Sequence, residues 1–332
     1  MRTTCSFLSP RMRFVALLSV AALASSAAAQ TAQSAIQWAT QPAPAAQAAQ
    51  KSLRPVLVYV APDAELRDSN IQNRLQRSLR DPIVVEMIQT RFVPLRMSRT
   101  SQTRPMLQAL GLPANYGGYM AVVPGQALLS PETSAKVSTI NLMEMAEPGA
   151  LLTELHKGYR EYVSRLYTDQ IKAKFEEEKP KPADLTRALE LVAQLNISEA
   201  DADILKLMER RAEDKQFMKN ATEALGILST RPAADYLLKQ AKEGNKDAQA
   251  ALGRLTPTIA AEVLLPEMRA AKEGDRLMAY KALSKIFDLK PVRPDKWWER
   301  VKEKARDDEL QSITTRVNEQ ARAWQDGVGR FR

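Results

Sequence analysis

Residues 56–68 read VLVYVAPDAELRD. The first five are β-branched, aliphatic or aromatic and lie between Pro55 and Pro62. A run that is apolar at every position predicts a strand buried on both faces, as in an α/β sheet with helices on either side. The polar loop after it opens a helix, with Leu66, Ile71, Leu75 and Leu79 close to helical spacing over 66–80. Asp81 then predicts an N-cap for the helix PIVVEMIQT, with Pro82 at its first position.

Working outward, RFVPLRM (91–97) reads as a second strand and RPMLQALGL (104–112) as a short helix ending at Gly111. GYMAVVPGQALLS (118–130) reads as a strand, a Pro-Gly turn at 124–125 and another strand. A long helix is expected from near Glu147 to about Lys174. Upstream, AAQAAQKSL predicts a helix leading into the first strand.

The chain opens differently. MRTTCSFLSPRMR supplies arginines, FVALLSVAALASS is a short apolar run, and Ala27–Ala28–Ala29 offers a small-residue cleavage site. This pattern predicts a secretory signal peptide over 1–29, and hence an exported protein, periplasmic or secreted. No later stretch has the apolar length of a membrane span, so the cleaved chain is not expected to be integral to a membrane. Cleavage removes Arg2, Arg11 and Arg13 and brings the net charge of +9 down to about +6. It also removes Cys5, the only cysteine, so the mature chain has neither thiol nor disulfide and depends on its core for stability.

Downstream the pattern turns helical. FEEEKPKPA (175–183) is a charged, proline-rich break, read as a linker between a first domain over 30–174 and a second over 184–326. Three segments of the second share one pattern: ATEALGIL (221–228), AQAALGRL (248–255) and AYKALSKI (279–286). Each has alanine, then Ala-Leu, then a small residue, then Leu or Ile, all on one helix face, where small residues permit close helix contact. AKEG at 241–244 and 271–274 precedes two of these helices, its glycine read as a C-cap. Helices at 184–195 and 198–211 are expected at one end, with Ser198 and Asp201 as an N-cap and N3 pair. Helices near 296–304 and 308–326 are expected at the other.

Two resemblances follow from these residues. The KSLRPVLVYV strand entry, the DPIVVEMIQTRFVPLRM segment and GYMAVVPGQALL together resemble the thioredoxin-like domains of exported bacterial proteins, over roughly residues 35–170. The 27- and 31-residue spacing of the Ala-Leu segments resembles short HEAT-like repeats, which stack helix pairs into a solenoid. The fold expected is therefore an α/β thioredoxin-like domain followed by an all-α HEAT-like domain.

The resemblance also shows what is missing. The positions where such domains carry Cys-x-x-Cys fall near Glu65 and Asp68, and neither carboxylate can attack a disulfide. Thiol–disulfide exchange is excluded in a chain without cysteine. The cis-proline that the family places before the strand at 119 is replaced by Tyr116, Gly117 and Gly118, with Pro113 upstream. The glycines fit either a tight turn or the close approach of a ligand.

Other chemistry finds little support. His156 is the only histidine, which leaves no triad and no zinc cluster. No phosphate-cradling glycine loop occurs. Lysines and arginines alternate with acids, as in KLMERRAEDK, which reads as a solvated helix face rather than a nucleic-acid surface. No cofactor or metal is expected.

The candidate binding residues are Asp63, Glu65, Asp68, Tyr116, Gly117, Gly118, Trp297 and Trp298. Carboxylates at a helix start are also favoured by its dipole, which is the simpler account of Glu65 and Asp68. The function expected is a non-catalytic binding or scaffolding protein with a protein or peptide partner in the cell envelope. The alternative is an enzyme of unknown reaction with a carboxylate site on the first domain.

Overall fold

The structure is a computed structural model, and it describes residues 36–62, 69–130, 136–142, 147–178, 180–270, 272–290 and 292–327. The expected signal peptide and Asp63, Glu65 and Asp68 lie outside the described residues. The chain is mostly helical and carries one small mixed sheet.

The sheet has four strands in the order β2-β1-β3-β4: β1 Val56–Val60, β2 Val93–Met97, β3 Tyr119–Val123 and β4 Ser138–Asn141. β1 and β2 run parallel, with Val58 opposite Leu95. β3 is antiparallel to both β1 and β4, with Val58 opposite Ala121 and Ala121 opposite Thr139. Outside β2, Ala39 closes the edge through Ala39 N–H to Pro94 (2.9 Å) and Arg96 N–H to Ala39 (2.8 Å).

Both faces of the sheet are covered, as the VLVYV run requires. Val56, Val58, Val60, Tyr119, Ala121 and Val123 face α1 (Pro42–Ser52), α4 (Arg104–Ala109) and α5 (Gly125–Leu129). Leu57, Met120 and Val122 face α3 (Pro82–Arg91) and α6 (Pro148–Leu166). α2 (Ser69–Ser78) precedes α3, and Asp81 caps α3 as expected, accepting from Ile83 N–H at 2.9 Å and Val84 N–H at 3.3 Å.

The segment after Pro124 is a correction. Residues 125–129 form helix α5 and not a strand, and the fourth strand lies further on, at 138–141. Gln-Ala-Leu-Leu is a good helix sequence. Gly125 also seats α5 directly on α1: a Cβ there would lie 2.6 Å from the Ala49 methyl.

The long helix runs as expected but has a break in pitch. α6 passes through a π turn at Tyr167–Ile171 into α7 (Lys172–Glu176), with Tyr167, Ile171 and Phe175 all buried. α8 begins at Pro182, so the proline-rich break spans few residues. The core on the α3/α6 face continues across it, from Leu57 through Leu152, Phe175 and Leu189 to Ala321. Polar bonds follow the same seam. Tyr159 donates to the Leu195 carbonyl (3.1 Å), Arg160 to Asn196 O (3.1 Å) and Glu199 (2.6 Å), and Arg210 to Phe175 O (2.7 Å).

The remaining helices are α9 (Asp201–Arg210), α10 (Lys215–Leu228), α11 (Arg231–Lys242), α12 (Lys246–Leu252), α13 (Pro257–Glu267), α14 (Glu273–Phe287), α15 (Asp295–Arg300) and α16 (Glu303–Asp326). They pack in two layers: α8, α10, α12 and α14 in one, α9, α11, α13 and α16 in the other. The Ala-Leu segments begin on α10, α12 and α14, and the alanines and leucines of the shared pattern, such as Ala221, Ala224 and Leu225 or Ala248, Ala251 and Leu252, are buried. The small residue matters where successive helices meet. A Cβ on Gly226 would lie 2.8 Å from the Ala251 carbonyl of the next copy.

Two local expectations are overturned. Gly244 ends α11 at φ +94° as a C-cap glycine should, but Gly274 lies in the first turn of α14. Ser198 and Asp201 form no capping pair: Ser198 Oγ accepts from Arg160 (3.0 Å) and Asp201 accepts from the Thr230 hydroxyl (2.7 Å). Arg160 and Thr230, distant in sequence, engage the two side chains, and Asp201 also accepts from the adjacent Ala202 N–H (2.6 Å).

Candidate functional site

The carboxyl ends of β1 and β2 meet the amino end of β3 at one end of the sheet, where Val60 is opposite both Met97 and Tyr119. Ligands of open α/β sheets bind outside the carboxyl ends of parallel strands. Tyr116, Gly117 and Gly118 lie at this end.

The glycines are fixed by the chain itself. A Cβ on Gly117 would lie 2.0 Å from the Ala61 carbonyl oxygen, so the backbone that approaches it is that of β1's exit. Gly118 has φ +86°, a conformation that only glycine adopts freely. Its N–H donates to Val60 (2.9 Å) and its carbonyl accepts from Leu142 (3.0 Å). The two glycines thus splice the loop into the sheet.

Around them the loop is held from both sides. Tyr119 donates its phenol to the Pro113 carbonyl at 2.7 Å. Burial pushes the Tyr119 phenol up to about 12, with a further rise from Tyr116 and an opposing pull from Arg99. Arg99 donates to the Asn115 carbonyl. Tyr116 packs edge-on against Tyr119 at 6.0 Å yet leaves 52% of its surface in solvent. The result is a large aromatic side chain displayed from a pinned backbone.

The opposite face of the same end carries a second aromatic group. Trp38 packs on Tyr59 at 5.2 Å, and Arg96 lies over the Tyr59 ring at 5.9 Å. Sequence reasoning missed Arg96 and Arg99. A signal was present: from 69 to 130 the chain has seven arginines, no lysine and only two acids, Asp81 and Glu86.

Trp297 and Trp298 are far along the chain, on α15. Their rings meet edge-to-face at 4.9 Å, and Trp298 meets Tyr280 at 4.9 Å. Arg293 lies over Trp297 at 5.0 Å, donates to Glu309 at 3.1 Å, and gives its backbone N–H to the Tyr280 oxygen at 2.6 Å. Both tryptophans are partly buried and fasten α15 to α14 and α16. Beside them is a small pocket lined by Met268, Glu273, Arg276, Leu277, Tyr280, Trp298 and Arg306.

Among the described residues, no three His, Cys, Asp or Glu side chains gather as a metal site requires, and no helix is long and apolar enough to cross a membrane. No family model, curated protein or solved structure matches this chain.

Proposed function

We propose that the chain is an exported, non-catalytic binding protein, built from a cysteine-free thioredoxin-like domain and a HEAT-like helical domain, which holds a protein or peptide partner in the cell envelope. The parallel β1–β2 pair, the antiparallel β3 and β4, and helices on both faces support the first assignment. The two layers of helices with Ala-Leu faces at successive contacts support the second.

The observation that carries the binding reading is Tyr116. Tyr116 packs on Tyr119 yet leaves half of its surface in solvent, on a loop held by Arg99, Pro113 and Ala61. Tyrosine on a rigid backbone is a frequent anchor at interfaces, because little side-chain entropy is lost on contact.

The test is crosslinking capture from an envelope extract with the chain from residue 30 and its Tyr116→Ala variant as paired baits. A protein enriched by the first bait and depleted about tenfold with the second, as loss of a hot-spot residue implies, supports the reading. Equal capture by both moves the contact away from Tyr116. Capture no greater than that of an unrelated exported control overturns the binding reading.

A further inference from the structure

The end of the sheet that displays Tyr116 is rimmed with arginine. Arg96 is exposed near the carboxyl end of β2, its guanidinium 5.9 Å from the centre of the Tyr59 ring. Three residues on, Arg99 donates to the carbonyl of Asn115, the neighbour of Tyr116. Arg104 is exposed at the start of α4. That start is tied back to the end of β2, because Thr103 donates its hydroxyl to the Ser98 carbonyl at 2.6 Å and Arg104 its backbone N–H to Thr100 at 3.0 Å. Tyr59 packs on the α3/α6 side of the sheet and α4 on the other, so Arg96 and Arg104 bracket this end of the sheet.

Neither Arg96 nor Arg104 forms an ion pair among the described residues. Over 55–130 the cations are eight arginines and no lysine against five acids, so the region stays cationic with Asp63, Glu65 and Asp68 counted. The helices over 171–306 carry more lysine than arginine. A solvated face is served by either cation, but only the planar fork of arginine pairs with a carboxylate through two N–H groups. Arginine and tyrosine are also enriched at interfaces, where lysine is depleted.

We infer that the partner segment seated on this end of the sheet is an acidic stretch of chain, whose carboxylates pair with Arg96 and Arg104. The inference rests on the Tyr116 reading above and names the chemistry of the partner there. Packed layers lie about 10 Å apart, and the two arginines stand on opposite sides of the sheet, so they suit carboxylates spaced along a chain rather than one small anion. Six extended residues span about 20 Å, enough to reach both.

The probe is hexaglutamate with an amino-terminal fluorophore, titrated with the chain from residue 30 at low ionic strength and read by anisotropy. The expected result is saturable binding that Arg96→Gln/Arg104→Gln weakens about tenfold, as loss of two charge-assisted contacts implies. Arg104→Gln alone, away from the strands, weakens it about threefold. Lys215→Gln/Lys246→Gln removes the same charge from exposed positions on α10 and α12 and leaves the affinity within about twofold. Urea midpoints report that each variant is folded. No saturable binding overturns the inference. So does equal weakening by the arginine and lysine pairs, which would report only the net charge of the chain. Vesicles of phosphatidylglycerol and phosphatidylcholine are titrated in parallel. Dependence on the arginine pair for vesicles but not for hexaglutamate overturns the acidic-chain assignment in favour of a lipid surface. Hexaglutamate needs no extract, so its failure is separate from the capture result with Tyr116→Ala, which decides the binding reading.

Discussion

Gly117 and Gly149 separate two meanings of glycine in one chain. At Gly117 a methyl would collide with the backbone of Ala61, which cannot swing aside as a side chain would. Gly117→Ala is therefore expected to cost about 3 kcal/mol or more, at the top of the overpacking range, read as a lower urea midpoint. Gly149 is exposed in the first turn of α6, and a methyl added there would meet nothing within 4 Å. Gly149→Ala should raise stability by about 0.5–1 kcal/mol, because it removes only backbone entropy. Tyr119 gives a pH signature at the same end of the sheet as Gly117. Its folded pKa of about 12 lies above the ordinary 10. The protonated phenol is thus favoured in the fold, and its contribution is complete below pH 10 and lost as pH rises from 10 to 12. Tyr119→Phe should flatten the alkaline fall in stability across that window, seen in urea midpoints at pH 9, 10 and 11. The Asp81 cap was legible because its chemistry is local. The role of Gly117 was not, since its partner Ala61 lies 56 positions back along the chain.

At the scale of elements, what could be read depended on whether the deciding contact was near in sequence. β1 was unmistakable, since a run of five apolar residues between prolines leaves few alternatives. α5 was misread because Pro-Gly followed by apolar residues also fits a hairpin, and its helical state rests on α1, far back along the chain. The π turn left no mark in the apolar spacing, yet it places Tyr167 against Asp203, to which its phenol donates. This bond ties the end of α6 to α9, and Tyr167 is only 5% exposed. Tyr167→Phe is expected to cost about 1.5–3 kcal/mol, the range for a hydrogen bond to a charged group, in a urea titration at pH 7. Arg165 and Glu161, on the solvent side of α6, form an i,i+4 pair. Arg165→Gln should stay within about 0.5 kcal/mol of the parent in the same titration. Equal losses in the two variants would mean that the tie to α9 adds nothing to an ordinary surface pair.

For the whole molecule, the break at FEEEKPKPA reads as a linker between two domains, and one buried core continues on both sides of it. Phe175, at the edge of that segment, is 1% exposed and belongs to the same core as Leu57 on the sheet and Ala321 on the last helix. Charge and proline content mark where the chain leaves a helix, but they do not reveal whether the flanking helices share a core. A chain cut after the break would expose the faces that α8 and α9 cover, so each half depends on the other for burial. The expected consequence is one cooperative unfolding transition. Trp38 reports from beside Tyr59 on β1, and Trp298 from beside Tyr280 on α14. Chains retaining only one of these tryptophans should give coincident urea midpoints. Phe175→Ala removes a buried ring from the shared core and should lower both midpoints together, by about 3–5 kcal/mol in stability. If the Trp38 midpoint moved while the Trp298 midpoint stayed, the two halves would be separate folding units, and their common core a contact between finished domains.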